Sequence, residues 1–320
     1  IDVNRYFMKI VLLDYATLGS IDGLEKLSNL GEFSYYEFTS KQDVVDRVKE
    51  ADIIITNKVV IGAREMEAAS NLKLIAVLAT GLNNIDLDMA KELDIQVKNV
   101  AGYSTDSVAQ HTFATLFALL HQIQFYDDYV KSGNYAMSPI FTHIGYEYWE
   151  IKGKVFGIIG LGTIGLRVAE IATVFGAKVV YYSASGNNEN PIYERVTLDQ
   201  LLTRSDVISI HAPLTEKTKN LLSSVELSKM KKSAILLNQG RGGIVNETDL
   251  ANALNNGELF AAGLDVLERE PIWEDNPLLS VKEPNRLLIT PHIAWASKES
   301  RNELIRMTID NIKNFIDEKS

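Results

Sequence analysis

The sequence predicts an α/β protein built from two parallel β-sheets, each covered by helices. Short apolar strands alternate with helical segments from Met8 to about Val100, and a second series of the same kind begins at Val155. The first strand of the second series ends in a glycine-rich turn, Gly160 to Gly165, which leads directly into a helical pattern. Regular alternation of strands and helices is typical of doubly wound parallel sheets.

The first series contains apolar segments rich in isoleucine, valine and leucine, which we expect to be buried strands. These segments are residues 9–14, 33–38, 52–57, 72–78 and 95–100. The stretches between them, at 41–50, 63–70 and 87–93, are helix-like.

A long helical pattern follows, from about Thr105 to Lys131. Ser104, Thr105 or Asp106 would cap it, because short polar side chains accept hydrogen bonds from the first turn. Residues 132–152 are irregular and aromatic. Such a stretch suggests an arm that packs on a second subunit, and a loop packed on its own domain explains it equally well.

The second series contains six expected strands, at 155–159, 178–182, 206–210, 234–238, 260–264 and 287–290. Six strands complete a dinucleotide-binding sheet, so the amphipathic helix that follows, residues 297–317, cannot belong to it. We therefore expect a discontinuous arrangement, in which residues 1–103 and 294–320 form a substrate domain and residues 104–293 form the dinucleotide-binding domain. The helix and arm over 104–152 are assigned to the second domain, and a cleft is expected between the two.

Composition limits the partners. The 320 residues include 32 Lys and Arg against 42 Asp and Glu, a net charge of −10, which argues against nucleic acid or an anionic membrane surface. The sequence has no apolar run of membrane-spanning length, and it has no cysteine for disulfides or thiol chemistry. The start IDVNRYF has no signal-like features, so we expect a cytoplasmic protein. His111, His121 and His143 show no metal-ligand spacing, and we expect no metal.

The glycine-rich turn, GLGTIG, has the form of a dinucleotide-binding turn. Gly160 permits the tight turn, Gly162 lets phosphates approach bare backbone, and Gly165 lets helix and strand pack closely. The helix that begins there points its N-terminus at a pyrophosphate.

The residue that selects between NAD and NADP departs from the usual pattern. An acidic side chain is expected at the end of the second strand, where it holds the ribose hydroxyls, but this place falls on Ser183. Serine cannot repel a 2′-phosphate, and residues 184–190 contain neither Lys nor Arg to attract one. We expect NAD as the cofactor, with NADP also permitted.

Three polar residues follow strands at one edge of the expected sheet. Arg241 lies between glycines after one strand, and its planar guanidinium suits a carboxylate. Glu270 follows the strand that ends near Asp265, and His292 follows the last strand. Because parallel strands end at a common edge, these residues can converge on a ligand. A glutamate beside a histidine favours the charged imidazole, which then stays ready to donate a proton near neutral pH.

These motifs resemble the D-specific 2-hydroxyacid dehydrogenase family. The matching segments are GLGTIG, HAPLTEKTKNLL, NQGRGGIVNE, LDVLEREP and PHIAWAS, in the family's order, and the resemblance spans the chain from Met8. It implies a Rossmann-type doubly wound domain plus a smaller flavodoxin-like α/β substrate domain. It also implies a homodimer built on the long helix and arm, and hydride exchange between NAD(P)H and a small 2-oxo or 2-hydroxy acid.

The resemblance further implies roles for particular residues. Arg241 would bind the substrate carboxylate, His292 would be the acid/base that protonates the carbonyl oxygen, and Glu270 would orient and charge it. Further substrate contacts would come from Thr80, Gly81, Leu82 and Trp295. The cofactor-binding residues that the resemblance implies are Thr105, Val108, Gly160, Gly162, Thr163, Ile164, Gly165, Ser183, His211, Ala212, Pro213, Asn238, Gln239, Gly240, Arg241, Asp265 and His292, with Asp265 on the nicotinamide carboxamide.

Within the family, the segments LNNID and HIAWAS resemble hydroxypyruvate reductases (glycerate dehydrogenases). We therefore expect reversible reduction of hydroxypyruvate or glyoxylate to D-glycerate or glycolate. Two other interpretations stay open. One is a dehydrogenase for another D-2-hydroxy acid, such as phosphoglycerate or lactate, and the other is an NAD(H)-sensing binding protein similar to corepressors of this fold. Gln110 stands where many relatives have Glu, and it is assigned no role.

Overall fold

The computed structural model describes residues 7–319, and contacts within the chain divide it into two units. The first unit runs to Ser104 and resumes at Ala296, and the second unit is Thr105–Trp295. The domain assignment expected for residues 1–6 and 320 lies outside the described residues.

Within residues 7–319 the strands form two parallel sheets, one of five strands and one of seven. In chain order the strands are β1 (Lys9–Leu12), β2 (Glu32–Tyr35), β3 (Ile53–Thr56), β4 (Leu74–Val77), β5 (Gln96–Lys98), β6 (Val155–Ile159), β7 (Lys178–Tyr182), β8 (Glu194–Arg195), β9 (Val207–Ile210), β10 (Ile235–Asn238), β11 (Ala261–Leu264) and β12 (Leu287–Ile289). The first unit's sheet has the order β2-β1-β3-β4-β5, which is the strand order of flavodoxin-like folds.

The α-helices of the described chain are α1 (Val44–Val48), α2 (Ala63–Ala68), α3 (Leu87–Glu92), α4 (Thr105–His121), α5 (Ile123–Lys131), α6 (Thr163–Val174), α7 (Leu198–Arg204), α8 (Ser224–Ser228), α9 (Glu247–Asn255) and α10 (Lys298–Lys319). The last helix, α10, buries Leu304 and Ile312. Arg301 on α10 donates a hydrogen bond to the carbonyl of Leu18 at 2.6 Å, so the carboxyl-terminal helix belongs to the first unit. None of the helices between residues 7 and 319 is both long enough and apolar enough to cross a bilayer.

The second unit's sheet has the order β12-β11-β10-β9-β6-β7-β8. Counted from β6, the first six strands have the order of the dinucleotide-binding fold, and β12 extends the sheet at one edge. The six strands expected from the sequence are all present, but the sequence analysis missed β8. This strand pairs with β7 through Tyr181 and Arg195. Its two residues are exposed, so they show no apolar alternation that would reveal a strand.

Hydrophobic layers cover both faces of the seven-stranded sheet, because side chains alternate along each strand. Ile158 of β6 packs in one layer, with Leu116 of α4 and Val168 of α6. Its neighbour Ile159 packs in the other layer, with Leu250 of α9. With both faces covered, the carboxyl edge of the sheet is the place where polar side chains can meet a ligand.

The expectation of one continuous helix from Thr105 to Lys131 is wrong, because the helix is interrupted at Gln122, between α4 and α5. This residue has a left-handed backbone conformation with φ +50°, which an α-helix of L-residues cannot continue. The Gln122 side chain is buried, and its amide donates to the carbonyls of Leu119 at 2.7 Å and Asn285 at 3.2 Å. The side chain thus satisfies a carbonyl group that the helix end leaves unpaired.

The aromatic arm packs on α5 of its own chain. The rings of His143 and Tyr129 stack with their centroids 4.0 Å apart. The Tyr126 hydroxyl donates to the carbonyl of Tyr146 at 3.0 Å. A loop packed on its own unit therefore accounts for part of the aromatic content, while Phe141 remains 89% exposed.

Candidate active site

The residues expected to carry the chemistry follow adjacent strands of the second unit. Arg241 comes shortly after β10, Glu270 follows β11 and His292 follows β12. In the sheet, β11 lies between β10 and β12. Because all three strands are parallel, the fold brings these residues to the same edge.

His292 and Glu270 form a direct pair. The imidazole Nδ1 lies 2.7 Å from a carboxylate oxygen of Glu270, and the side chains are 22% and 36% exposed. The other carboxylate oxygen accepts a hydrogen bond from the Leu267 backbone N–H at 3.0 Å. An ionised carboxylate only accepts hydrogen bonds, so Nδ1 carries the proton of this contact. The pair therefore leaves Nε2 of His292 as the nitrogen that can exchange a proton with a substrate.

Asp265 holds the turn that carries His292. The carboxylate is buried, and it accepts hydrogen bonds from the backbone N–H groups of Ile293 at 2.9 Å and Ala294 at 2.8 Å. The Trp295 indole N–H donates to the His292 carbonyl at 2.9 Å. His292 itself has φ +55°, a left-handed conformation that non-glycine residues adopt only when their surroundings enforce it. Both oxygens of Asp265 thus bind protein groups, and its expected contact with a nicotinamide carboxamide stays a prediction.

The Arg241 segment is built by its neighbours. The Asn238 side chain donates to the Arg241 carbonyl at 2.9 Å and accepts from the Gly240 N–H at 3.1 Å. A Cβ on Gly242 would lie 1.8 Å from the carbonyl oxygen of Leu267, so only glycine permits this approach. The backbone after β10 therefore touches the backbone after β11, which places the Arg241 segment beside the segment that leads to Glu270.

The glycine turn after β6 has the shape that a dinucleotide requires. Gly160 has φ +92°, and a Cβ there would lie 2.8 Å from the backbone of Ala212. A Cβ on Gly165 would lie 2.2 Å from the Gly160 carbonyl oxygen, whereas nothing lies within 4 Å of a Cβ built on Gly162. Gly162 is the N-cap of α6, so the first-turn N–H groups beside this open space suit a phosphate.

Polar atoms next to this turn lack partners within the described chain. They are the Nδ1 atom of His211, after β9, and both amide atoms of Gln239, after β10. Burial lowers the pKa of His211 to about 3, so the ring is neutral at physiological pH. Buried polar groups are normally hydrogen-bonded, and the amide, hydroxyl and phosphate groups of a dinucleotide would supply such partners. The residues present therefore fit a bound nicotinamide dinucleotide.

A cation that the sequence analysis did not find reaches the loop after β7. Ser183 is buried, and its hydroxyl lies 3.4 Å from the backbone N–H of Asn188. Residues 184–190 contain neither Lys nor Arg, as expected, but Arg195 reaches the same loop from β8 and donates to the Gly186 carbonyl at 2.9 Å. The statement about residues 184–190 holds, but Arg195 lies beyond that range, and the sequence analysis did not connect it with this loop. The cause is the missed strand, and the buried Val196 just before the capped helix α7 was the one weak sign of it.

The remaining cofactor residues expected from the sequence lie in the same unit. Thr105 begins α4, and Val108 is buried on its first turn. Ala212 and Pro213 follow β9, and Ala212 is the residue that the Gly160 backbone approaches. The structure thus gathers segments after β6, β9 and β10 around the glycine turn.

The expected substrate residues Thr80, Gly81 and Leu82 belong to the first unit, after β4. The Thr80 hydroxyl donates to the Val100 carbonyl at 2.9 Å, and its own carbonyl accepts from the Asn99 side chain at 2.7 Å. These bonds fix the start of the loop within that unit. Among residues 7–319, no cluster of three or more His, Asp or Glu side chains is placed to hold a metal ion.

The fold and this site are those of a nicotinamide-dependent oxidoreductase. Residues 113–294, more than half of the chain, match the family model of the NAD binding domain of the D-isomer specific 2-hydroxyacid dehydrogenases. The chain belongs to this family, which confirms the family and fold class predicted from the sequence. It is an enzyme that exchanges hydride between a nicotinamide dinucleotide and 2-oxo or 2-hydroxy acids.

Relatives with assigned names match almost the whole chain. Hydroxypyruvate reductase from Blautia hydrogenotrophica is 40% identical over 317 residues, which cover 97% of this chain and 97% of the relative. Glycerate dehydrogenase from Methylorubrum extorquens is 38% identical over 309 residues, which cover 96% of each chain.

Solved structures show the same architecture. D-lactate dehydrogenase from Aquifex aeolicus, complexed with NAD and lactic acid, has a TM-score of 0.83 and 28% identity, with 97% of this chain and 95% of that chain covered. The NADPH-dependent glyoxylate/hydroxypyruvate reductase from Sinorhizobium meliloti, in complex with NADP and malonate, has a TM-score of 0.80 and 26% identity, with 96% and 93% covered.

Proposed function

We propose that the chain reduces hydroxypyruvate or glyoxylate, reversibly, to D-glycerate or glycolate. The observation that carries the proposal is the 2.7 Å contact between His292 and Glu270, at the sheet edge that Arg241 shares. The similarity to a hydroxypyruvate reductase and to a glycerate dehydrogenase over nearly the whole chain supports this substrate class.

Each of the three residues has a distinct task in the proposed reaction. Arg241 binds the substrate carboxylate, since its planar guanidinium can make two parallel hydrogen bonds. His292 donates the proton on Nε2 to the carbonyl oxygen while C2 of the substrate becomes tetrahedral, and the neutral ring then regains a proton from water. Glu270 holds Nδ1 throughout and stabilises the charged imidazole before the transfer. A bound nicotinamide supplies the hydride, so that one substrate, one hydride and one proton give one hydroxy acid.

The proposed substrate and cofactor contacts extend beyond these residues. Thr80, Gly81, Leu82 and Trp295 are proposed as further substrate-binding residues. The residues proposed to hold the cofactor are Thr105, Val108, Gly160, Gly162, Thr163, Ile164, Gly165, Ser183, His211, Ala212, Pro213, Asn238, Gln239, Gly240, Arg241, Asp265 and His292. The open space at Gly162 and the unpartnered atoms of His211 and Gln239 support this set.

The cofactor is proposed to be NADH, with NADPH accepted as well. Ser183 takes the place where a carboxylate would repel a 2′-phosphate. The guanidinium of Arg195, bound to the Gly186 carbonyl, adds a positive charge to the same loop. Discrimination against NADPH should therefore be weak.

The chain is further proposed to form a homodimer through the aromatic arm. Met137, Phe141 and Ile144 are 87%, 89% and 77% exposed. Exposed apolar groups concentrated in one segment are typical of a protein–protein interface. Light scattering of the purified chain should give twice the monomer mass, and a monomer at micromolar concentration would contradict the dimer.

Steady-state kinetics test the function directly. Hydroxypyruvate, glyoxylate, pyruvate and phosphohydroxypyruvate should be compared with NADH and NADPH, following the loss of reduced cofactor. We expect the highest kcat/KM with hydroxypyruvate or glyoxylate and measurable rates with both cofactors. Tight binding of NADH without turnover of any of these acids would contradict the proposal and favour a sensing protein.

A further inference from the structure

Helix α4 makes side-chain hydrogen bonds to the segment that carries His292. The Ser107 hydroxyl donates to the Ala294 carbonyl at 2.6 Å. His111 lies four residues further along, on the same face of the helix, and its Nε2 is 3.0 Å from the Thr290 hydroxyl oxygen. Both contacts lie within the second unit, and they flank His292 on either side in sequence.

The contact of His111 continues to Asp265. The Thr290 hydroxyl donates to Asp265 Oδ1 at 2.6 Å, so toward His111 it acts as an acceptor and the imidazole donates from Nε2. The same Nε2 lies 3.7 Å from Asp265 Oδ1. Asp265 is only 1% exposed. A buried carboxylate needs several donors to compensate for lost water. Thr290 provides one of them at Oδ1, the oxygen that also accepts from the Ile293 N–H. The Nε2–H of His111 donates to the Thr290 hydroxyl and so keeps its proton directed at Asp265.

Asp265 also binds the backbone of the turn that carries His292. Its carboxylate accepts from the N–H groups of Ile293 and Ala294, the residues directly after His292. The backbone of His292 has the left-handed φ of +55°. It would relax from this conformation if the hydrogen bonds from Asp265 to the turn weakened. The direction of the His292 ring relative to Glu270 therefore depends on how firmly Asp265 is held.

We infer that His111 is a positioning residue for the acid/base pair, acting through Thr290 and Asp265. It touches neither substrate nor cofactor in this account. The inference rests on the proposed function, in which His292 transfers the proton. Loosening the turn misplaces Nε2 of His292 and slows the chemical step, while Arg241 and the glycine turn, which are proposed to bind the substrate carboxylate and the cofactor phosphates, keep their geometry.

The test compares His111→Ala with His111→Gln, whose amide nitrogen can replace the Nε2 donor, and with Gln110→Ala as a control. Gln110 is the exposed neighbour on the same helix. We expect His111→Ala to lower kcat for hydroxypyruvate about ten-fold, the size expected for one lost hydrogen bond. KM and the NADH dissociation constant should stay within about two-fold of wild type. His111→Gln should recover most of kcat, and Gln110→Ala should equal wild type.

A readout independent of activity is amide hydrogen exchange of the segment 290–295. Exchange should be faster in His111→Ala and close to wild type in His111→Gln, because the anchors of the turn loosen only in the first. Thr290→Val should reproduce the loss of kcat, and the His111→Ala/Thr290→Val double variant should lose no more than the worse single variant. If His111→Ala does not fold, the contrast between Thr290→Val and His111→Gln carries the test.

Unchanged kcat and unchanged exchange in His111→Ala would overturn the inference. So would a rise in KM with kcat preserved, or an equal loss in Gln110→Ala. If the wild-type chain reduced no 2-oxo acid, the proposed function would fail, while the exchange measurement would still decide whether His111 anchors the turn.

Discussion

Replacing Glu270 with glutamine isolates the charge of the acid/base pair, because the two side chains have nearly the same shape. The amide oxygen of the Glu270→Gln variant can still accept from the Leu267 N–H, as the carboxylate does at 3.0 Å. The amide NH2 then faces His292 Nδ1, in place of the carboxylate oxygen at 2.7 Å. An NH2 group can only donate, so the bond to the charged imidazole is lost and a neutral bond forms only with an unprotonated Nδ1. A hydrogen bond to a charged group contributes about 1.5–3 kcal/mol and a neutral one about 0.5–1.5 kcal/mol.

The side chains of the pair are 22% and 36% exposed, so solvent screens the charge and the lower part of this difference applies. A loss of about 1.4 kcal/mol from the transition state lowers kcat about ten-fold. We expect this loss at neutral pH in the direction of hydroxypyruvate reduction, with the NADH dissociation constant unchanged. The assay is initial-rate kinetics with saturating NADH. Glu268→Gln, an exposed neighbour in the same segment, serves as the matched control. A kcat for Glu270→Gln equal to that of the control would refute the role of the charge.

The other predictions concern binding, cofactor choice and pH. Arg241→Lys should raise KM for hydroxypyruvate and lower kcat, because lysine cannot make the bidentate pair, and wild-type values for both would contradict its substrate role. Arg195→Ala should raise KM for NADPH about five-fold and leave KM for NADH unchanged, since an exposed charge pair contributes about 1 kcal/mol at most. Arg204→Ala, which loses the exposed pair with Glu194, is its control, and an equal change for both cofactors would rule out a 2′-phosphate contact. Burial lowers the pKa of His211 from 6.5 to about 3. Between these two pH values the imidazole is therefore protonated in the unfolded chain and neutral in the folded chain. The free energy of unfolding should therefore fall as the pH drops below about 6.5, by at most about 1.4 kcal/mol per pH unit from this group. Urea unfolding of wild type and His211→Asn at pH values on either side of 6.5 measures this, and the variant should show the shallower dependence.

Much of the fold could be predicted because its central strands are strongly apolar. The runs at β3, β6 and β10 are buried on both faces, and their composition alone indicates strands. The break at Gln122 could not be predicted, because neither glycine nor proline marks it and the side chain that bonds there to the distant Asn285 looks like any other glutamine in the sequence. Sequence periodicity reports the local backbone, and a tertiary contact of this kind leaves no trace in it.

The site shows the same division. Arg241, Glu270 and His292 follow strands of one sheet, so strand order and polarity suffice to bring them to one edge. The contact of His111 with Thr290 spans 179 positions, and it depends on where α4 packs on the sheet. Arg195 escaped notice because the strand that carries it has only exposed residues. In both cases the sequence gives the type of side chain, but it does not show which distant residues that side chain contacts.

The most direct test of the central claim is the kcat of His292→Ala with hydroxypyruvate and NADH, together with the NADH affinity of the variant. Loss of a general acid lowers kcat by about 10²–10⁴, and we predict a fall in this range with NADH binding retained. A kcat at the wild-type level would contradict the claim that His292 transfers the proton.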